Sequence, residues 1–193
     1  MRSLNEYITL NESGEYNLRP NSTSELKKLI RQRVEEQGPN CDLNDIDVSR
    51  VTDMSDLFFS SKFNGDISKW DVSRVRNMNG MFYNSQFNGD ISKWDVHNVE
   101  SMFNMFNESK FNGDISKWDV SSVETMSGMF ANSEFNGDIS KWKVRRVEDM
   151  RGMFHNSKFN GDISKWNVRR VKDMSMMFDE SPLEGKEPSW YRG

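Results

Sequence analysis

The chain has 193 residues, a formal net charge of −4 at pH 7, a hydrophobic fraction of 35% and a mean hydropathy of −0.83. Apolar residues are too sparse for one large spherical core, whereas stacked repeats need only a few apolar residues each. The negative charge gives no general attraction to nucleic acid or to an anionic membrane, so we expect neither as a partner. Cys41 is the only cysteine, which excludes an intrachain disulfide and a cysteine-rich metal site.

Residues 1–20 precede the first regular pattern, and we predict that they form either a small strand pair or a loosely docked tail. They contain neither the continuous apolar stretch nor the cleavage site of a signal peptide. No later stretch approaches the roughly 20 apolar residues of a membrane span. We therefore expect a cytoplasmic or virion-associated protein without membrane insertion, rather than one displayed at the cell surface.

Residues 21–41 carry the signals of an α-helix that caps one end of the repeats that follow. Ser22 and Glu25 have the spacing of a capping box. Apolar residues then recur every three or four positions, at Leu26, Leu29, Ile30 and Val34, and Gly38-Pro39 ends the pattern.

Tryptophan recurs every 24 residues, at Trp70, Trp94, Trp118, Trp142, Trp166 and Trp190. The string FNGDISKW occurs five times without an insertion between copies. We therefore predict a repeat array over residues 42–181. Residues 182–193 form a degenerate C-terminal repeat or cap, in which Pro182 and Pro188 break the pattern.

Two apolar patterns within a repeat predict two elements. Trp70 and Val72 have the same strand parity, and the order I-x-x-W-x-V has the spacing of a leucine-rich repeat. The next apolar residues follow at steps of three, three and one, as on one face of a short helix (Val75, Met78, Met81 and Phe82). We therefore predict an α/β repeat solenoid with one short parallel strand and one short helix in each coil of 24 residues.

The repeat motif FNGDISKWDVSxVxxMxxMF and the preceding DLNDIDVSRVTDMSDLF closely resemble the repeats of BspA-type leucine-rich-repeat surface proteins. That repeat has long been catalogued as a mycoplasma-type domain of unknown function, and versions with a similar leader occur in gut bacteria and their phages. The resemblance runs from Leu18 to Trp190. It implies a right-handed solenoid and a role in adhesion or protein binding, and it supplies no catalytic residues.

Each repeat returns through an Asn-Gly-Asp segment, which favours a turn because Asn and Gly tolerate positive φ. Its carboxylates would be the candidates for calcium binding (Asp66, Asp90, Asp114, Asp138 and Asp162). Calcium needs about six to eight oxygens, whereas one repeat supplies a single carboxylate. We therefore expect these aspartates to stabilise turns, and we predict neither a metal nor another cofactor.

The aromatic series has two interpretations. We assign Trp70, Trp94, Trp118, Trp142 and Trp166 to the structural core, because exposing them would also expose the valines two positions later. Evenly spaced, exposed rings that stack sugars are the alternative. Phe59, Tyr83 and Phe103 vary from repeat to repeat and form a candidate apolar patch on the early repeats.

Departures from the repeat are the positions where we expect recognition. Basic residues accumulate on the exposed strand face of the later repeats, at Lys141, Lys143, Arg145, Arg146, Lys165, Arg169 and Arg170. We interpret these as contacts to a protein partner with an acidic surface. A solvated charged surface without a partner is the alternative.

The residue inventory does not favour an enzyme, because it contains no paired histidines, no phosphate-binding loop and no unique carboxylate pair. We predict a non-catalytic protein–protein interaction module that binds through its exposed strand face. One alternative is a structural or assembly protein, either self-associating through the solenoid ends as a homo-oligomer or part of a virion. Another is a glycan-binding, adhesin-like module.

Overall fold

The structure is a computed structural model that describes residues 8–10 and 16–193. Strand β1 (Ile8–Leu10) pairs antiparallel with strand β2 (Tyr16–Leu18). Helix α1 (Thr23–Gln37) follows, and the repeats occupy the rest of the chain. The strand pair falls within the predicted N-terminal segment 1–20, of which residues 1–7 and 11–15 lie outside the described part.

Helix α1 begins and ends at the residues whose side chains and backbone satisfy its free ends. The Ser22 hydroxyl accepts the backbone N–H of Glu25 at 3.2 Å, as an N-cap does. At the other end Gly38 adopts a φ of 88° and donates its N–H to the Val34 carbonyl at 2.9 Å. The apolar face of α1 is buried against the first repeat, where the Thr23 hydroxyl also donates to the Asp53 carbonyl at 2.5 Å.

The predicted α/β repeat solenoid is wrong. Beyond α1, the described residues contain no further helix and no strand, only turns joined by isolated parallel bridges. One column of bridges links equivalent positions of successive repeats, from Asp53 through Asn77 and Ser101 to Asp173. The leucine-rich-repeat-like coil of one strand and one helix is therefore absent from the described part of the chain.

Hydrogen bonds between repeats replace the bonds within a helix. Every second N–H of the turn segment in one repeat donates to a carbonyl of the next repeat, as in the pairs Met78–Ser101, Gly80–Phe103, Phe82–Met105 and Asn84–Asn107 at 2.8–2.9 Å. The intervening N–H groups of Met81 and Tyr83 turn back to carbonyls three residues earlier. We call this repeated pattern the turn ladder.

Two residues of each repeat, four positions apart, have left-handed backbone, and they are the reason that this segment is not a helix. Positive φ occurs at one set of equivalent positions (Asp56, Gly80, Asn104, Gly128, Gly152 and Met176) and at a second set four residues later (Ser60, Asn84, Glu108, Asn132, Asn156 and Glu180). Glycine and asparagine adopt this conformation at the lowest cost, and they fill four of the six positions in the first set and three of the six in the second. A right-handed helix cannot continue through such residues.

Glycine in the Asn-Gly-Asp segment serves close packing, so the prediction of a positive-φ turn there is wrong. Neither Asn64 nor Gly65 is among the residues with positive φ. A Cβ on Gly113 would lie 2.9 Å from ring carbons of Phe111, which is too close for an unshifted contact. The neighbouring asparagines form their own ladder, in which Asn112 donates its backbone N–H to the Asn88 side-chain oxygen at 2.8 Å.

Aromatic columns fill the interior of the stack. Phe82 stacks on Phe58 with ring centroids 5.4 Å apart and on Phe106 at 5.5 Å, and all three rings are buried. The two ends of the columns are covered differently. Helix α1 covers the end that we call the head, and Trp190 and Tyr191 pack on Phe178 at the opposite end, the tail.

No helix within residues 8–10 and 16–193 has both the length and the apolar character needed to cross a membrane.

Candidate binding surface

The seven predicted basic residues lie on one exposed run of turns, which we call the late basic surface: Lys141, Lys143, Arg145, Arg146, Lys165, Arg169 and Arg170. They do not lie on strands. Two turns shape this run in each repeat, closed by the hydrogen bonds from Trp142 to Ile139 and from Val147 to Val144, both 3.1 Å. Buried Trp142 and Val144 alternate with exposed residues, so the cationic side chains point to solvent.

One row of carboxylates on this face is present in the early repeats and absent from the later ones. In three early repeats, Asp71, Asp95 and Asp119 each accept the backbone N–H two residues on, at 3.0–3.3 Å. The equivalent positions in the next two repeats are Lys143 and Asn167. Asp119 is the last carboxylate of this row. Its pKa is lowered first by the hydrogen bond from Ser121 and also by the charge of Lys143, which stands in the next repeat.

Most cations of the late basic surface have no close acidic partner. Among the described residues, only Arg146 of the seven lies within 4.0 Å of a carboxylate oxygen, at 3.9 Å from Glu124. Nearby Glu148 forms an ion pair with Lys172 instead. The Lys172 Nζ lies 2.6 Å from the Glu148 Oε2 and lowers the pKa of Glu148. The surface therefore carries positive charge that its own neighbours do not neutralise at contact distance.

Two shallow hollows flank the late basic surface. The first, of about 230 Å³, is lined by Lys117, Lys141 and Lys143 together with Asp119. The second, of about 500 Å³, lies at the tail between the last full repeat and the C-terminal segment, and Arg169, Arg192 and Trp190 line it with Asn167 and Ser189.

Arg192 lines the second hollow but was not among the basic residues predicted from the sequence. The signal was available, since Arg192 stands one repeat after Val168, at a position that is a buried valine in every earlier repeat. A charged residue in that register indicates that the chain leaves the stack there.

The predicted apolar patch is only partly assembled. Phe59 and Tyr83 stack with ring centroids 5.0 Å apart, and Phe59 is 53% exposed. The Tyr83 hydroxyl donates to Glu108 at 2.8 Å, and that bond raises the pKa of Tyr83. Phe103 is 42% exposed but contacts no aromatic ring of the described residues.

A family model matches the chain twice, over residues 25–134 and residues 87–190. The chain belongs to the family described as Mycoplasma protein of unknown function, DUF285. No curated protein and no solved structure matches it. The family description names no activity, so the function of this DUF285 protein has to be inferred from its own residues.

The tryptophans and aspartates that recur in this DUF285 repeat have structural roles. Trp70, Trp94, Trp118, Trp142 and Trp166 are only 4–5% exposed, which leaves no open ring face for a sugar. Asp114 accepts the backbone N–H of Ser116 at 2.9 Å, and its equivalents do the same in their repeats. Within the described ranges, no group of three or more His, Cys, Asp or Glu residues is placed to hold a metal ion.

Proposed function

We propose that this protein is a non-catalytic binding module that holds an acidic surface of a partner protein against the late basic surface. The observation that carries the proposal is a cluster of seven exposed cations of which only one lies within 4.0 Å of a carboxylate oxygen of the described chain. The resemblance of the repeats to those of BspA-type surface proteins, which implies adhesion or protein binding, agrees with it.

This surface is suitable for recognition because turns and buried side chains hold the backbone that carries the charges. Trp142 and Val144 are buried between its exposed residues, and the N–H groups of Trp142 and Val147 close two turns. Each repeat is hydrogen-bonded to the next through several backbone groups. Exposed ion pairs contribute about 0.2–1 kcal/mol each. We therefore expect several weak pairs to act together and to give an affinity that falls as ionic strength rises.

The test uses substitutions that copy residues already present in other repeats. The test variant combines Arg145→Ser, Arg146→Ser, Arg169→Ser and Arg170→Ser, because Ser121 and Ser122 occupy these positions in an earlier repeat. A control variant removes the same amount of charge from early repeats with Arg50→Ser, Lys69→Ser, Arg74→Ser and Lys93→Ser.

Both variants and the unchanged protein are used to capture partners from an extract of the native host, and captured proteins are quantified by mass spectrometry. We expect the control to retain the proteins captured by the unchanged chain and the test variant to lose them by at least about tenfold, or 1.4 kcal/mol. Equal capture by the test variant would exclude the late basic surface as the binding site.

An assembly role is the second candidate, and the tail edge of the turn ladder favours it. The N–H groups of Met174, Met176 and Phe178 have no acceptor among the described residues, whereas equivalent groups in earlier repeats donate to the next repeat. Unpaired backbone edges are sites where another chain can add. Two tail edges cannot pair with each other because both present donors. A head-to-tail association brings the tail donors to the head, where α1 covers the first repeat and Thr23 already binds the Asp53 carbonyl, so α1 has to move for it to form.

Light scattering across a wide range of protein concentration tests this candidate. Head-to-tail association is open-ended, so the mean mass would rise continuously with concentration instead of stopping at a dimer. A constant monomer mass at the highest concentration would exclude assembly by the protein alone.

A further inference from the structure

We infer that the tail hollow, lined by Arg169, Trp190 and Arg192, is an anchor pocket for a single glutamate or aspartate side chain of an extended partner segment. This inference rests on the proposed function and names the feature that the partner would present. The hollow measures about 500 Å³ and opens at the end of the late basic surface.

The hollow exists because the chain leaves the stack after Trp190. Val168 is 6% exposed, whereas its equivalents Val72, Val96, Val120 and Val144 are each 1% exposed. In earlier repeats the next repeat covers this valine. At the tail, Arg192 occupies the equivalent position and lines an opening in place of an apolar contact.

The Trp190 side chain is held in place by two contacts, and the backbones of Arg169 and Arg192 are held by one contact each. The Trp190 indole N–H donates to the Ile163 carbonyl at 3.0 Å, and its ring stacks on Trp166 with centroids 6.3 Å apart. The Arg169 backbone N–H lies 3.4 Å from the Asn167 side-chain oxygen, and the Arg192 backbone N–H lies 3.2 Å from the Met174 sulfur. A pocket whose walls are already ordered loses less entropy when a ligand enters.

The electrostatics of the hollow favour a carboxylate. Asn167 stands where the first four repeats carry aspartate and the fifth carries lysine, and Arg169 stands where the first four carry serine or histidine and the fifth carries arginine. Neither Arg169 nor Arg192 lies within 4.0 Å of a carboxylate oxygen of any residue that the structure describes. Two guanidinium groups offer a carboxylate several charge-assisted hydrogen bonds, and the partly exposed face of Trp190 can pack on the methylene groups of the same side chain.

An acidic peptide fits this site better than a nucleic acid. The chain as a whole is negative, with a net charge of −4, so a long polyanion would be repelled away from the basic surface. Asp173 also lies on the other side of Arg192, in the wall of an adjoining hollow. A short acidic segment can use the two arginines without extending over that carboxylate.

The experiment titrates the full chain with fluorescein-labelled hexaglutamate and follows fluorescence anisotropy, with hexaglutamine as the neutral control. Trp190 is more exposed than the other five tryptophans, so its emission reports whether the peptide enters the hollow. We expect saturable binding of hexaglutamate with a change in tryptophan emission, no binding of hexaglutamine, and loss of the emission change in Trp190→Phe.

Two single substitutions outside the four-residue test variant isolate the pocket. Asn167→Asp restores the carboxylate of earlier repeats, and Arg192→Ser removes one guanidinium from an exposed side chain. Each should weaken hexaglutamate binding about tenfold, whereas Arg50→Ser should leave it unchanged.

Unchanged hexaglutamate affinity in both pocket variants would overturn the anchor pocket while leaving the wider basic surface intact. Conversely, pocket-dependent hexaglutamate binding combined with normal partner capture by the four-residue variant, which lacks Arg169, would overturn the proposed function. It would leave a pocket that binds acidic peptide but does not anchor the captured partner. Tighter binding of a ten-nucleotide oligothymidylate than of hexaglutamate, weakened by the same two substitutions, would replace the acidic peptide by a nucleic acid.

Discussion

The tryptophan of each repeat joins two repeats by a buried hydrogen bond. Trp118 donates its indole N–H to the Ile91 carbonyl of the preceding repeat at 3.1 Å, and the other five tryptophans make the same contact at 2.9–3.1 Å. Tryptophan is suited to this position because one side chain fills a large volume and also satisfies a buried carbonyl. A simple apolar residue would leave that carbonyl with one donor instead of two, because the backbone N–H of Trp94 also donates to it at 3.1 Å.

Trp118→Phe should therefore destabilise the protein more than a loss of volume alone would. We expect the free energy of unfolding to fall by about 2–4 kcal/mol, because a cavity forms and the buried Ile91 carbonyl loses one of its two donors. Trp190→Phe is the matched control, since Trp190 makes the same bond but is partly exposed, and its loss should be smaller. Urea denaturation followed by circular dichroism measures both, and equal losses would contradict the role of the buried bond.

At the scale of the element, the turn ladder depends on residues that accept left-handed backbone. Gly128 and Gly152 occupy equivalent positions with φ of 62° and 55°. Their surroundings differ, because a Cβ on Gly128 would lie 2.0 Å from the Asn104 side-chain oxygen, whereas the nearest atom to a Cβ on Gly152 is 3.7 Å away. The two glycines therefore separate the cost of the conformation from the cost of a steric clash.

Gly152→Ala should lower the free energy of unfolding by about 1 kcal/mol, the usual cost of left-handed backbone for a residue with a side chain. Gly128→Ala should cost more, because Asn104 must also move. Thermal and urea denaturation of the two variants measure the difference. If both substitutions cost the same, the clash with Asn104 contributes nothing measurable.

The contrast between α1 and the repeats shows which elements could be predicted from sequence. The signals of α1 are local, and the Ser22 cap, the apolar face and Gly38 act as predicted. In the repeats, the spacing of Val75, Met78 and Met81 matches a helix, yet none of their N–H groups makes an α-helical bond. The Met78 N–H donates to Ser101 of the next repeat, and the other two donate to carbonyls three residues earlier. Glycine and asparagine recurring four residues apart were the overlooked signal of left-handed backbone.

At the scale of the whole molecule, a row of carboxylates runs along the stack and makes stability depend on pH. The pKa values of Asp114 and Asp90 are lowered chiefly by the backbone N–H groups of Ser116 and Ser92, and the pKa of Asp138 is lowered first by the Ser140 hydroxyl and then by its backbone N–H. A carboxylate whose folded-state pKa is depressed stabilises the fold above its unfolded pKa, near 3.8. That contribution is lost as pH falls through the folded-state value.

We therefore expect the urea midpoint to change little from pH 7 to pH 5 and to fall steeply below about pH 4. The combined variant Asp90→Asn, Asp114→Asn and Asp138→Asn keeps an oxygen acceptor in each turn but removes three titrating groups. Its midpoint should fall less between pH 5 and pH 3 than that of the unchanged protein. Identical pH dependence in the two proteins would show that these carboxylates do not link stability to pH.

The sequence by itself determined the repeat length of 24 residues, the inward rows of tryptophan and valine, the N-terminal helix and the position of the late basic residues. These follow from side-chain chemistry and from signals within a few residues of chain. The tertiary structure decided the backbone conformation of the repeats, because the acceptor for an N–H such as that of Phe82 is Met105, a full repeat away. It also decided that Arg192 lines a hollow with Arg169, since only packing shows where the chain leaves the stack.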